Sequence, residues 1–150
     1  MIRLPGKIKA ETTVEGYVSL VDLFATILDY LDVDEHPSDG ISLKGLMEGK
    51  DTEHGEYVVT EWNYRGDIVP NYMIVKGGWK LMIPYSKSSN VINAMYDLSN
   101  DPHEMNNLLG SNPEKELYEE RAEELRACLL EWLKKNKSKH YKGVKERVLI

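Results

Sequence analysis

The amino-acid sequence predicts an α+β fold, in which a four-stranded antiparallel sheet is packed by a C-terminal helix. Four short segments rich in β-branched and aromatic residues follow one another between positions 57 and 98, with no predicted helix between them. A longer segment with apolar residues at helical spacing comes next. A strand and a helix are predicted before the sheet, so we expect two regions, residues 1–50 and residues 51–150.

The first region begins with an extended segment. Residues 2–18 contain a Pro-Gly turn at positions 5 and 6, and residues 3–10 around that turn are predicted to form a strand. Ser19 is placed to cap the helix that follows, with Asp22 as its reciprocal partner three residues later.

That helix is apolar on most of its circumference. It is predicted to continue to Leu31, and its polar residues form one narrow stripe: Asp22, Thr26 and Asp29. A helix of this kind requires burial on most of its sides, not on one face alone. A chain of 150 residues can hardly provide such burial while building a sheet as well. The sequence therefore indicates that another part of the protein covers this helix.

A turn and a short helix close the first region. The sequence Pro-Ser-Asp-Gly at 37–40 is typical of a turn. Residues 42–49 follow as a short helix that opens on a serine and ends on a glycine. The charged segment 50–55 marks the predicted boundary between the two regions.

The second region contains the predicted strands. Gly77 and Gly78 separate two of them, and paired glycines are typical of a tight hairpin turn. The four predicted strands cover residues 57–62, 72–76, 79–83 and 94–98.

The last predicted helix begins near the Ser-Asn-Pro sequence at 111–113, where a capping residue precedes a proline. Its helical stripe contains Leu117, Arg121, Leu125, Cys128, Leu129, Trp132 and Leu133. Burial of each large apolar member contributes about 1.5–3 kcal/mol, which is enough to hold the helix across the sheet. The tail from Asn136 onward is predicted to be frayed.

Composition and charge exclude several function classes. The net charge of −6 repels nucleic acid and anionic lipid, so neither nucleic acid nor a membrane is a predicted partner. The apolar runs are too short for a transmembrane span. Cys128 lies in a helical pattern and is interpreted as a small core residue. The four histidines lack metal-ligand spacing and are expected at the surface: His36, His54, His103 and His140.

Two stretches of the sequence resemble the sulfatase family. The first combines R-L-P-G-K-I at 3–8, S-L-V-D-L-F-A-T-I-L at 19–28 and D-G-I-S-L at 39–43, although Ala25 stands where sulfatases usually have proline. The second, Y-D-L-S-N-D-P-H-E-M-N-N-L at 96–108, is very similar to the motif before the last helix of sulfatases. The motifs occur in the family's order and span nearly all of residues 2–133. The aspartate and proline at 101 and 102 are interpreted as turn residues, not as catalytic ones.

The resemblance implies that residues 1–50 are the last strand and helix of an α/β catalytic domain, and that residues 51–150 are a sulfatase C-terminal subdomain. Sulfatases use a formylglycine, made from the Cys or Ser of a C/S-x-P-x-R motif, and a divalent cation, usually calcium. This chain has no adjacent aspartates, and its S-N-P-E-K sequence at 111–115 lacks the arginine and is interpreted as a helix cap. We therefore expect no catalytic residue, metal ligand or cofactor in this chain, which alone should be inactive.

Substrate recognition is the role that the resemblance leaves to this part of a sulfatase, since loops of the C-terminal subdomain often touch the substrate. The segment W-N-Y-R-G-D at 62–67 combines aromatic rings with a guanidinium group, which suits sugar faces and anions. Trp62, Tyr64 and Arg65 are the predicted substrate-binding residues. The alternative is a hairpin loop in which Trp62 packs into the core.

The partners implied by the resemblance are the catalytic domain of the same enzyme and a sulfated small molecule or glycan. A homodimer through residues 1–50 is a further possibility, because it would cover the apolar helix and the open strand edge. The alternative function is a stand-alone, non-catalytic protein-interaction module. An upstream C/S-x-P-x-R motif in the gene would favour the sulfatase. A periplasmic or extracellular location is implied by the resemblance only.

Overall fold

The structure, a computed structural model, describes residues 1–33, 37–50, 54–62, 71–84 and 92–149. It divides into two compact units, Met1–Val58 and Val59–Ile150, called here the N-terminal unit and the C-terminal unit. The division falls within the first strand, beyond the boundary predicted after residue 50.

The extended start of the chain forms a turn in place of the predicted strand. The N–H groups of Lys7 and Ile8 donate to the carbonyl oxygen of Leu4, at 3.2 and 2.9 Å, and Gly6 has a φ of +82°. The Pro-Gly turn is therefore confirmed, whereas residues 3–10 are not assigned to a strand. A strand needs a neighbour to satisfy its backbone polar groups, and here some of them are satisfied by local hydrogen bonds.

Helix α1 covers Asp22–Tyr30 and directs its polar stripe inward. Asp22 and Thr26 are buried, whereas Ile27 within the helix is 57% exposed, and Leu20 and Leu31 just outside its two ends are 85 and 65% exposed. The N–H of Ser19 donates to Asp22 Oδ2 at 2.7 Å, which is one half of the predicted capping box. The polarity of α1 is thus the reverse of an ordinary surface helix.

The segment after α1 supplies the partners of the polar stripe. It contains the short helix α2, Lys44–Met47, which ends before Gly49 as predicted. Thr26 Oγ1 accepts a hydrogen bond from the Leu43 N–H at 2.9 Å. Gly40 approaches the start of α1 so closely that a Cβ would lie 2.3 Å from the carbonyl oxygen of Val21. Only glycine fits at this crossing.

The four strands of the sheet are β1 (Tyr57–Trp62), β2 (Asn71–Lys76), β3 (Trp79–Pro84) and β4 (Ala94–Asp97). They are arranged in the order β1-β2-β3-β4, and β3 is antiparallel to both β2 and β4. Gly77 and Gly78 both have positive φ, as a tight hairpin turn requires. The predicted antiparallel sheet and its hairpin are confirmed.

Helices pack on one face of this sheet. A 3₁₀ turn, Lys115–Tyr118, leads into α3, Glu119–Lys135. The core of the C-terminal unit consists chiefly of Tyr72, Ile74, Leu81, Ile83, Met95, Leu125, Leu129, Leu133 and Val144. Leu117 was expected in the buried stripe but is 76% exposed, because it lies in the 3₁₀ turn, where the α-helical spacing does not apply. None of the helices described is both long and apolar enough to cross a membrane.

The chain end is ordered, and the predicted frayed tail is wrong. Helix α4, Tyr141–Lys145, buries Val144, and Leu149 is buried beyond it. Asn93 Nδ2 donates to the carbonyl oxygens of Val148 and Leu149 at 2.8 and 2.9 Å. Two apolar residues of this lysine-rich segment, Val144 and Leu149, are buried, whereas Val148 is exposed. The side chain of Asn93 binds the backbone beside Leu149.

Candidate functional site

Trp62, the last residue of β1, is 58% exposed. The alternative in which its ring packs into the core is therefore wrong. Tyr64 and Arg65, the other two predicted substrate-binding residues, lie outside the described residues. The structure thus places one aromatic side chain at the surface, at the end of the strand that leads into this segment.

A hydrogen-bond network holds the two strands that flank the segment. The hydroxyl of Tyr72, buried on β2, donates to Glu61 Oε1 on β1 at 2.8 Å. The same hydroxyl contacts His140 Nδ1 and lies 3.4 Å from Ser138 Oγ. Glu61 immediately precedes Trp62, and Tyr72 immediately follows Asn71. The network therefore fixes both ends of the β1–β2 connection.

The protonation of this network follows from its geometry. Tyr72 has one hydroxyl proton. When that proton is donated to Glu61, the contact with His140 requires the imidazole Nδ1–H to donate to the Tyr72 oxygen. Burial lowers the pKa of His140, the positive charge of Lys139 acts in the same direction, and Glu61 opposes them. The structure therefore favours neutral His140. No sequence spacing could reveal this contact, because Tyr72 and His140 lie 68 residues apart.

A second buried ionisable group lies in the N-terminal unit. The Asp22 carboxylate accepts hydrogen bonds from the N–H groups of Ser19 and Ile41, at 2.7 and 3.0 Å, and contacts His54 Nε2 at 3.2 Å. Burial alone would raise the pKa of Asp22, but these backbone donors and His54 outweigh it and hold that pKa below its ordinary value. The carboxylate has all its partners inside the unit, which indicates a structural role.

The expectation of surface histidines holds for only part of the chain. His103 is exposed, but the side chain of His54 is 8% exposed beside Asp22, and His140 is 8% exposed in the core. His36 lies outside the described residues. Surface placement was therefore wrong for His54 and His140, because each has a polar partner that makes burial tolerable.

The motif at 96–108 reverses the chain between β4 and the helices. Asp101 accepts hydrogen bonds from the N–H groups of Met105 and Asn106 at 3.0 and 2.9 Å, and these bonds lower the pKa of Asp101. Asn107 Oδ1 accepts from the Met95 N–H at 3.0 Å and so binds the reversal to β4. These side chains support the backbone, as the interpretation of turn residues predicted.

Within the described ranges, no group of three or more His, Cys, Asp or Glu side chains is arranged to hold a metal ion. Cys128 is half-buried on α3, and its sulfur lies 3.4 Å from Lys76 Nζ.

Comparisons with known proteins agree with the resemblance. Residues 1–131 match the family model described as N-sulphoglucosamine sulphohydrolase, C-terminal. The chain is 30% identical to arylsulfatase K of Bos taurus over 123 residues, which are 76% of this chain and 22% of that protein. It is 32% identical to N-acetylglucosamine-6-O-sulfatase of Bacteroides thetaiotaomicron over 145 residues, covering 91% of this chain and 25% of that protein.

Solved structures give the same result. A protein in complex with its substrate D-glucosamine-2-N,6-O-disulfate is similar to this chain with a TM-score of 0.72 at 29% identity. That similarity covers 97% of this chain and 29% of the other. The chain therefore spans about a quarter of the length of the relatives that it matches.

The buried imidazole makes the stability of the C-terminal unit depend on pH. Because the folded-state pKa of His140 lies below that of the unfolded chain, about 6.5, its contribution is fully present above that pH. It should be lost as the pH falls below about 6.5 towards the folded-state pKa. Thermal unfolding between neutral pH and about pH 5 measures this decrease in stability. The decrease should be smaller in His140→Asn than in the wild type.

His103→Ala is the matched control, since His103 is an exposed histidine of the same unit. It should leave the pH dependence unchanged. Tyr72→Phe should cost about 1–3 kcal/mol at neutral pH, because it removes the hydroxyl that His140 needs. An unchanged pH profile in His140→Asn would show that another group governs the loss.

Proposed function

Because this chain belongs to the sulfatase family described as N-sulphoglucosamine sulphohydrolase, C-terminal, we propose that it is the substrate-shaping, non-catalytic part of a sulfuric ester hydrolase. The remaining polypeptide of that enzyme supplies the chemistry. The observation that carries the proposal is the reversed polarity of α1, whose apolar side is exposed while its polar stripe is used within the N-terminal unit.

Exposed apolar side chains form what we call the apolar face of α1: Ile27 lies within the helix, and Leu20 and Leu31 lie just outside its ends. Leu20, Ile27 and Leu31 are spaced by seven and four residues, which places them on one side of a helix. Monomers in solution rarely expose contiguous apolar patches larger than a few hundred Å². We propose that the catalytic region of the same enzyme covers this face, and that a second copy of the chain covers it when that region is absent.

The core of the N-terminal unit supports the same conclusion. Among the described apolar side chains, Leu43 is the one member of the buried set that belongs to residues 1–58. A unit with so little internal apolar burial gains little of the free energy that ordinarily offsets conformational entropy. Its stability is therefore expected to come from a partner surface.

The chemistry is assigned to the remaining polypeptide on the basis of sequence. This chain has no C/S-x-P-x-R motif and no adjacent aspartates. Formylglycine and calcium are therefore proposed to belong to the catalytic region, and no residue of this chain is proposed to hold either. The names of the relatives favour a sulfated sugar as the substrate class of the whole enzyme.

Trp62, Tyr64 and Arg65 are proposed to contact that substrate. Trp62 is exposed at the end of β1, and the Glu61–Tyr72 hydrogen bond holds the strand that carries it. An exposed indole on a rigid strand offers an apolar ring for the face of a sugar. The guanidinium of Arg65 offers paired donors for a sulfate.

The isolated chain should not hydrolyse aryl sulfate or aryl phosphate esters, even with added calcium. The physical reason is that it carries no activated oxygen nucleophile. Release of the phenol by highly purified protein is the measurement. Turnover that disappears in Ser111→Ala or Cys128→Ala would contradict the proposal, since it would place a nucleophile in this chain.

In the whole enzyme, Trp62→Ala should raise KM for a sulfated glycan roughly threefold to tenfold, which corresponds to the loss of one aromatic contact. Steady-state kinetics with the glycan and with a small aryl sulfate separate this effect from damage to the chemistry. Trp62→Phe keeps a ring and should retain most of the affinity. Equal losses for both substrates in Trp62→Ala would mean that Trp62 is not a sugar contact.

The isolated chain should self-associate through the apolar face of α1. Leu20→Glu with Ile27→Glu should weaken association roughly tenfold or more, since charge replaces two side chains that each contribute about 1.5–3 kcal/mol when buried. Light scattering at several concentrations is the measurement. Met105→Glu, an exposed apolar position of the C-terminal unit, is the control. A monomer at high concentration would refute self-association.

A further inference from the structure

An open cleft of about 320 Å³ lies in the C-terminal unit, between the β2–β3 hairpin end of the sheet and the start of the helices. Two aromatic rings, Trp79 and Tyr118, form part of its lining, with Leu108 among the other lining residues. Leu108 is buried, whereas the two rings are half-buried. The cleft therefore combines a buried leucine with two partly accessible aromatic rings.

The sheet register explains why the rings are there. Leu81 pairs with Met95, and both are fully buried on the face that the helices cover. Two residues nearer the hairpin turn, Trp79 pairs with Asp97 on the same face. The helical layer ends at this point with Tyr118, whose ring centroid lies 6.5 Å from that of Trp79. The cleft is thus the open end of the layer between sheet and helices.

Polar side chains line the other side of the cleft. Asn100 Nδ2 donates to Asp97 Oδ2 at 2.7 Å, and the Asn106 side chain makes no hydrogen bond within the part of the chain that the structure describes. An amide offers both donors and an acceptor. The carboxylates of Asp97 and Asp101 line the cleft as well and accept local N–H bonds, which leaves part of their acceptor capacity open.

From these contacts we propose that the cleft is an accessory binding site for an uncharged pyranose sugar. A pyranose presents an apolar C–H face, which suits the rings of Trp79 and Tyr118. Its hydroxyl groups each donate and accept, which suits the amides of Asn100 and Asn106. A volume of about 320 Å³ is at the lower end for small-ligand sites and suits one sugar ring.

Charge selects against a sulfated sugar in this cleft. Asp97 and Asp101 both line it, and their negative charges repel a sulfate group. Arg121 lies 5.5 Å from the Trp79 ring but is engaged by Glu124 at 2.6 Å, so its charge is compensated locally. The cleft therefore fits an unsulfated sugar unit.

This site is separate from Trp62 along the sheet. Trp62 adjoins the start of β2, whereas Trp79 follows the hairpin turn after the end of β2. A strand of six residues spans roughly 17 Å at the usual rise per residue. The inference rests on the cleft alone and stands whether or not the chain serves a sulfatase.

The test is an NMR titration of the full chain with methyl β-glucopyranoside, a neutral pyranose. The Trp79 indole N–H and the Asn100 and Asn106 side-chain amide signals should shift and saturate together. Tyr118→Ala and Asn106→Ala should each weaken binding roughly threefold to tenfold. Their exposed sequence neighbours provide matched controls, Leu117→Ala and Met105→Ala, which should bind as the wild type does.

Charged analogues complete the experiment. Glucose 6-sulfate should bind at least several-fold more weakly than the neutral glucoside, because of the two carboxylates. If glucose 6-sulfate or protonated glucosamine binds more tightly than the neutral glucoside, the proposal that the ligand is uncharged is wrong. Two results would overturn the site itself. The first is that the Trp79 and amide signals do not respond at tens of millimolar glucoside. The second is that Tyr118→Ala binds the glucoside as well as the wild type does, with an unchanged melting temperature.

Discussion

The polar stripe of α1 determines how the N-terminal unit is built. Asp22, Thr26 and Asp29 lie on one side of the helix because they are spaced by four and three residues. Each binds the segment after the helix. Asp22 accepts from the Ile41 N–H, Thr26 from the Leu43 N–H, and Asp29 from Ser42 Oγ and Lys44 Nζ. A loop backbone that approaches a helix needs acceptors for its N–H groups, and this stripe provides them.

The orientation of the apolar side follows from that requirement. Once the polar stripe faces the loop, the opposite side of α1 is directed away from the unit, and Leu20, Ile27 and Leu31 stay exposed. An apolar stripe turned inward would leave the N–H groups of Ile41 and Leu43 without their present partners. For Leu43, whose N–H is buried, the cost is about 1–3 kcal/mol. The exposed face is therefore a consequence of backbone hydrogen bonding, and the covering partner proposed above would make it compatible with a protein in water.

The sequence predicted the elements whose signal is local. The four strands were placed within one or two residues because β-branched and aromatic runs, together with the Gly77–Gly78 turn, act over short stretches. The inward direction of the α1 stripe was not predicted. A hydrophobic pattern identifies the polar and apolar faces of a helix, but it does not show against which face the following loop will pack. The burial of His54 and His140 also depends on partners far along the chain, Asp22 and Tyr72. Of the candidate site, only the exposed Trp62 can be compared with the structure.

The C-terminal unit differs from the N-terminal unit in how its polar groups are used. Its core consists of apolar side chains from the sheet, α3 and α4. Buried polar side chains bind other chain segments to that core: Tyr72, His140 and Asn93. Such a unit can hold a short strand end in one place, because displacing it would break a hydrogen bond to Tyr72, whose side chain is buried in the core. Trp62 is one residue beyond Glu61, the surface end of that network. Rigidity at an exposed aromatic lowers the entropy lost when a ligand binds. If Trp62 contacts the substrate as proposed, its place on a packed sheet gives it this advantage.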